Sequence, residues 1–89
     1  MEPIQPLAPE IIHDKIRLRV LPATAAVLTW AGRGIGRACD GCDGLVGSTD
    51  VEHEVVLADG AVLWFHARCA LVWEAIRQAY SSDRRASAP

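Results

Sequence analysis

All three cysteines of this 89-residue chain fall into two short pairs, Cys39-Asp-Gly-Cys42 and His66-Ala-Arg-Cys69, with 23 residues between them. This C-x2-C…H-x2-C spacing constrains the fold more than any other feature. Four donors at such intervals converge on one ion only if the chain folds back between the pairs. Zinc takes thiolate sulfur and imidazole nitrogen in a four-coordinate tetrahedron, and structural sites are commonly Cys3His. Rubredoxin-like iron calls for four thiolates, so Zn2+ is the expected ion, one per chain and structural. The glycine between Cys39 and Cys42 permits a tight turn that aims both sulfurs at one point. His66 and Cys69, three apart at a helix start, share a face and approach the same point. An odd cysteine count also argues against a closed disulfide framework.

The interval between the pairs reads as a β-hairpin. Residues 51–57 and 61–65 are apolar runs, the first rich in β-branched residues, and Asp59-Gly60 is the dipeptide that a two-residue primed turn demands. That turn pairs Leu57 with Val62, Val56 with Leu63 and Val55 with Trp64. Val51, His53, Val55, Leu57, Val62 and Trp64 then share one face, with Val56, Leu63 and Phe65 on the other. Both faces are substantially apolar. One is expected to take the C-terminal helix, the other the N-terminal segment or a second copy, with Trp64, Val55 and Leu57 buried. Residues 67–80 carry the clearest helical period, through Cys69, Val72, Trp73, Ile76 and Tyr80.

Four stretches organise the chain. Prolines at positions 3, 6 and 9 make residues 1–9 a Pro-rich arm of polyproline character. Residues 10–31 form a helical or extended segment packing on the finger. Ile11, Ile12 and Ile16 are at helical spacing, while Ile16, Leu18 and Val20 alternate with Arg17 and Arg19 as in a strand; helix is the reading taken for 10–20. Residues 32–80 are the metal-binding domain. Residues 81–89 are polar without an apolar period and read as a disordered tail. Six of the seven glycines lie within residues 32–47, which must be loop. Gly32, Gly34 and Gly36 miss the dinucleotide fingerprint, and no lysine followed by serine or threonine makes a phosphate loop of them.

Charge and hydropathy narrow the function. Residues 39–66 hold six acids and no lysine or arginine, between flanks that are weakly basic. Nucleic-acid modules show a clustered basic face instead. No apolar run approaches the ~20 residues that span a bilayer, so no membrane partner is expected. The N-terminus lacks the charge and apolar core of a secretory signal, so a cytoplasmic location is expected.

Knuckle, hairpin and a helix whose first turn supplies the last ligands resemble a treble-clef zinc finger. The pattern is similar to the first half of a LIM domain in its C-x2-C and H-x2-C pairs. It also resembles the fingers of poly(ADP-ribose) polymerases and DNA ligases in Phe65-His66 and in Trp73 after the last cysteine. Small stand-alone bacterial treble-clef proteins are similar as well. The resemblance implies an α+β fold and a structural zinc held by Cys39, Cys42, His66 and Cys69.

The expected function follows from the site and the surface. Four protein ligands leave a tetrahedral metal no open position, so the chain reads as no enzyme. Three tryptophans in so short a chain, an acidic finger and a two-sided apolar hairpin point to a protein-interaction or regulatory adaptor module, with homodimerisation one route. The alternative is a DNA-end or single-strand binder using Arg17, Arg19, Arg33, Arg37, Arg84 and Arg85 around an exposed aromatic. His53 reads as a partly buried or surface histidine, and His13, Asp40 and Asp43 as solvated residues.

Overall fold

Proline in the first turn of a helix costs nothing, since that N–H has no intrahelical partner. Helix α1 (Ala8–Arg17) starts in this way at Pro9 and buries Ile12 and Ile16, one turn apart. A computed structural model of the chain describes residues 8–86. The expected Pro-rich arm lies outside the described residues, apart from Ala8 and Pro9. After α1 come strands β1 (Ala26–Arg33), β2 (Val51–Leu57) and β3 (Val62–His66), then helix α2 (Ala67–Ala86). The architecture is α+β: two helices and an antiparallel sheet in the order β1-β2-β3.

The C-terminus of α1 closes without glycine. Val20 N–H donates to Lys15 O at 2.8 Å and Arg19 N–H to Ile16 O at 3.1 Å, the paired bonds of a Schellman cap. Arg19 occupies the left-handed position at φ 62°. The chain then turns at Leu21 and Pro22 and enters β1, which crosses residues 31 and 32, where the sequence reading divides the N-terminal segment from the finger. Only its bulge near Val27 breaks the pairing of β1 with β2.

The hairpin register differs from expectation by one residue. Val56 faces Val62, Val55 faces Leu63, Glu54 faces Trp64 and His53 faces Phe65. The loop is Ala58-Asp59-Gly60 rather than Asp59-Gly60: Gly60 N–H donates to Leu57 O and Leu57 N–H to Ala61 O, each at 2.9 Å. Gly60 sits at φ 89°, and Asp59 Oδ1 accepts from Ala61 N–H at 3.0 Å. This is a three-residue turn closed by a left-handed glycine, a geometry that Asp-Gly serves as readily as the two-residue form. One extra loop residue moves every β3 side chain to the opposite face relative to β2. Phe65 therefore joins Val55 and Leu57 inside, and Trp64 leaves them.

α2 packs on that inner face, and α1 lies against α2 and the knuckle. Ile12, Ile16, Leu21, Val46, Val55, Leu57, Phe65, Cys69, Ala70 and Trp73 form one buried core. Phe65 stacks on Trp73 at a centroid distance of 5.5 Å, and the Trp73 indole N–H donates to Pro22 O at 2.9 Å. Complete burial of side chains this size contributes ~1.5–3 kcal/mol each. The N-terminal segment thus supplies a helix beside α2 and a third strand, not a cover for the second hairpin face. That outer face, with Leu28, Trp30, Val56, Val62 and Trp64, has neither helix over it. α2 also runs to Ala86, beyond the expected end at Tyr80 and into the expected tail, because no glycine or proline interrupts residues 67–86.

A non-glycine residue in the left-handed region costs ~1–2 kcal/mol. Arg19→Gly relieves that strain and is expected to raise the stability of the metal-loaded chain by ~1 kcal/mol after the backbone entropy of glycine is offset. The check is a shift of the urea midpoint at constant slope; an unchanged midpoint would show that the Arg19 conformation is free of strain.

Candidate metal centre

The four donors are positioned by three parts of the chain. Cys39 and Cys42 sit in a knuckle closed by the bridge between Ala38 and Leu45, where Cys39 N–H donates to Gly44 O at 2.8 Å and Asp43 N–H to Cys39 O at 3.0 Å. His66 ends β3, and Cys69 lies in the first turn of α2. The four donor atoms all lie within 4.8 Å of one another. Cys39 and Cys69 are fully buried, whereas Cys42 and His66 are half-buried, and all three thiols are free.

The ring of His66 is oriented by its second nitrogen. Nε2 lies 2.9 Å from Leu45 O, a carbonyl that can only accept, so Nε2 carries the proton and Nδ1 is left with its lone pair. Nδ1 faces the sulfurs, 3.4 Å from Cys42 Sγ and 3.8 Å from Cys69 Sγ. Bond lengths of ~2.3 Å to sulfur and ~2.0 Å to nitrogen set tetrahedral donors about 3.6 Å apart, so the spacing suits zinc. A backbone carbonyl fixing the tautomer of a ligating histidine is the usual outer partner of such a site. Cys39 Sγ accepts from Gly41 N–H at 3.3 Å and from His66 N–H at 3.4 Å, which hold the sulfur in place within the knuckle.

Three sulfurs in so small a space cannot all carry charge without a cation. Burial, then the neighbouring Cys39 and Cys42, push the Cys69 thiol up from its ordinary 9.0 to about 12. A dication reverses that balance by supplying two positive charges at the point where the lone pairs converge. Cys39, Cys42, His66 and Cys69 are thus one Cys3His group able to bind a metal ion, zinc being typical, and His53 stands apart from it on β2.

Several residues support the group in ways that spacing did not announce. Gly41 is required for room: a Cβ there would stand 3.0 Å from Ile12 Cδ1 and 3.2 Å from the Phe65 ring. The positive φ of the knuckle belongs to Asp43, at 69°, rather than to the glycine between the cysteines. Asp40 is not a solvated acid. Its N–H donates to Trp64 O at 2.7 Å and its Oδ2 accepts from Trp64 N–H at 2.8 Å, which fastens the knuckle along the outer edge of β3. Lys15 of α1 donates to Asp40 O at 3.0 Å and pairs with Asp43 at 2.6 Å, so Asp43 is exposed yet engaged. Asp and Lys at these positions are common on any surface, and only the three-dimensional meeting of α1 with the knuckle gives them this role.

Comparison with known protein families, curated proteins and solved structures finds no match.

Two measurements test the centre. Elemental analysis is expected to find one zinc per chain, and its removal by a chelator, or Cys69→Ala, is expected to abolish amide protection in β2 and β3, since structural zinc supplies ~10 kcal/mol or more. Protection that survives chelation would show that the core folds alone. Zinc loading at pH 7 also displaces the proton that the raised pKa keeps on Cys69, so affinity falls as pH is lowered. Calorimetry in two buffers of different ionisation heat reads the release; equal heats would contradict it.

Proposed function

We propose that this chain is a treble-clef zinc finger that acts as a protein-interaction module of regulatory type, in the cytoplasm, with zinc in a structural role. Support for the treble-clef reading is the succession of knuckle, hairpin and helix, with the last two donors at the junction of β3 and α2. Support for a non-enzymatic role is the closed donor set, in which four protein atoms satisfy a tetrahedral ion. Free thiols gathered at a metal site suit a reducing compartment.

The observation that carries the interaction reading is the bare outer face of the sheet. Trp30 is 59% exposed there, beside Leu28 at 46% and Val62 at 40%. Trp73, by contrast, is wholly buried, so the three tryptophans divide between core and surface. An exposed tryptophan set among aliphatic side chains marks a contact surface for another protein. Nucleic acid is the weaker partner because bases near the acidic finger are already engaged: Lys15 with Asp43, and Arg37 with Glu52 at 3.4 Å.

The test is a titration of the zinc-loaded chain against duplex, nicked and single-stranded DNA at two salt concentrations, read by tryptophan fluorescence. No salt-sensitive binding is expected. Tight binding that weakens steeply with salt would replace this reading with a nucleic-acid finger.

A further inference from the structure

The outer sheet face sets a tryptophan and a carboxylate close together on both of its sides, one tryptophan covered by an arginine and the other open. On the covered side, the Arg37 guanidinium lies over the Trp64 ring at 3.5 Å from its centroid, with Arg37 Nε 3.4 Å from Glu52 Oε2. Glu52 is 6% exposed, so this arginine compensates a buried carboxylate while its cationic plane covers an indole. One row along from Glu52, Glu54 of β2 stands between Trp64 of β3 and Trp30 of β1, directly opposite each on the same face, and the Trp30 side is the open one. Glu54 is half-buried, and its carboxylate makes no hydrogen bond or ion pair among the described residues. Tryptophan and carboxylate are side by side there, and the arginine is missing.

The strand that carries Trp30 also has an open edge. Gly34 N–H donates to Asp50 O at 3.0 Å, which fixes the phase of the β1–β2 ladder. Alternate residues back along the strand, Gly32, Trp30 and Leu28, turn their backbone groups to β2. Thr29, Ala31 and Arg33 turn theirs outward. The opposite edge of the sheet, at Trp64, is occupied by Asp40. Chains usually blunt an apolar edge with proline or lysine. β1 reads AVLTWAGR, with neither.

We propose that the free edge of β1 is a docking site for an extended segment of a partner protein, and that an arginine of this segment stacks on Trp30 and pairs with Glu54. The segment adds a fourth strand through Thr29, Ala31 and Arg33, with its apolar residues beside Leu28. Arginine is the complement because it alone offers a flat cation for the indole and a donor fork for the carboxylate; Arg37 already sets its cation over Trp64 while pairing with Glu52. A second copy of the chain is disfavoured as occupant: pairing β1 with β1 edge to edge would set Leu28, Trp30 and Gly32 of the added strand on the shared face and bring no arginine to Glu54. Nucleic acid is disfavoured by the Glu54 charge. The inference rests on the protein-interaction reading above and specifies its surface and partner chemistry.

The test uses the full zinc-loaded chain and blocked seven-residue peptides of alternating threonine and valine, with arginine, glutamine or glutamate at the centre. The arginine peptide is expected to slow amide exchange at Thr29, Ala31 and Arg33 and to bind about tenfold more tightly than the glutamine peptide, the difference one charge-assisted contact makes. Glu54→Gln is expected to erase that tenfold difference without changing zinc content. Ala31→Pro, which removes an outward N–H and no internal ladder bond, is expected to weaken every peptide. Equal affinity for arginine and glutamine peptides, or a preference that survives Glu54→Gln, overturns the proposal. So does concentration-dependent sedimentation with those amides protected in the absence of peptide, which would assign the edge to a second copy. If DNA binding is absent and the peptides also fail to bind, this site falls and the general interaction reading stands; salt-sensitive DNA binding removes both.

Discussion

The convergence of three sulfurs and one imidazole nitrogen is the constraint around which the other elements are arranged. Cys39 and Cys42 come from the knuckle, His66 from the end of β3 and Cys69 from the start of α2, so one ion would cross-link three elements of the chain. A domain of this size buries too little surface to be generous with stability. The core confirms how closely burial and donor set are linked: Cys39 and Cys69 are themselves core residues, packed in the same cluster as Phe65 and Trp73. Donor set and hydrophobic core are therefore one structure, sharing Cys39 and Cys69.

Around that point the polar groups act as fasteners. Asp40 binds the knuckle to the backbone of Trp64, and Lys15 brings α1 onto the same turn. Leu45 O selects the tautomer that leaves Nδ1 of His66 facing the thiols. The acidic character of residues 39–66 is thereby partly answered from outside the segment, by Lys15 and Arg37. Elsewhere, Arg77 and Gln78 hydrogen-bond Glu74 on α2, and the bond from Arg77 is the main reason its carboxyl titrates below the usual range.

The register of the hairpin decides what the surface offers. With Gly60 closing a three-residue loop, Phe65 turns inward to stack on Trp73, and Trp64 turns outward beneath Arg37. Since α2 occupies the inner face and α1 packs beside it, the outer face keeps apolar side chains in solvent, and β1 extends that face by a further strand. An open apolar surface arises here from the topology: a sheet covered on one side and closed along one edge only.

Much of this was legible in the residues. Paired spacing named Cys39, Cys42, His66 and Cys69 because coordination geometry is local within each pair, and a period of 3.6 marked residues 67–80 because one helix face must be apolar. The α+β class and the hairpin followed from the same local rules. β1 left a weaker trace: Val27, Thr29 and Trp30 are good strand formers, but the small, apolar neighbours around them carry no alternation, since an edge strand exposed on both faces has no buried side to pattern. Register was not legible, because Asp-Gly suits two loop lengths and the choice between them rests on whether Phe65 or Trp64 packs against Trp73. Nor were the partners of Asp40, Lys15 and Arg37, whose contacts span 24, 25 and 15 residues of chain respectively. Local chemistry determined the donor set and the element types; the tertiary structure alone decided which faces and edges remain open, because burial is shared out among elements distant in sequence.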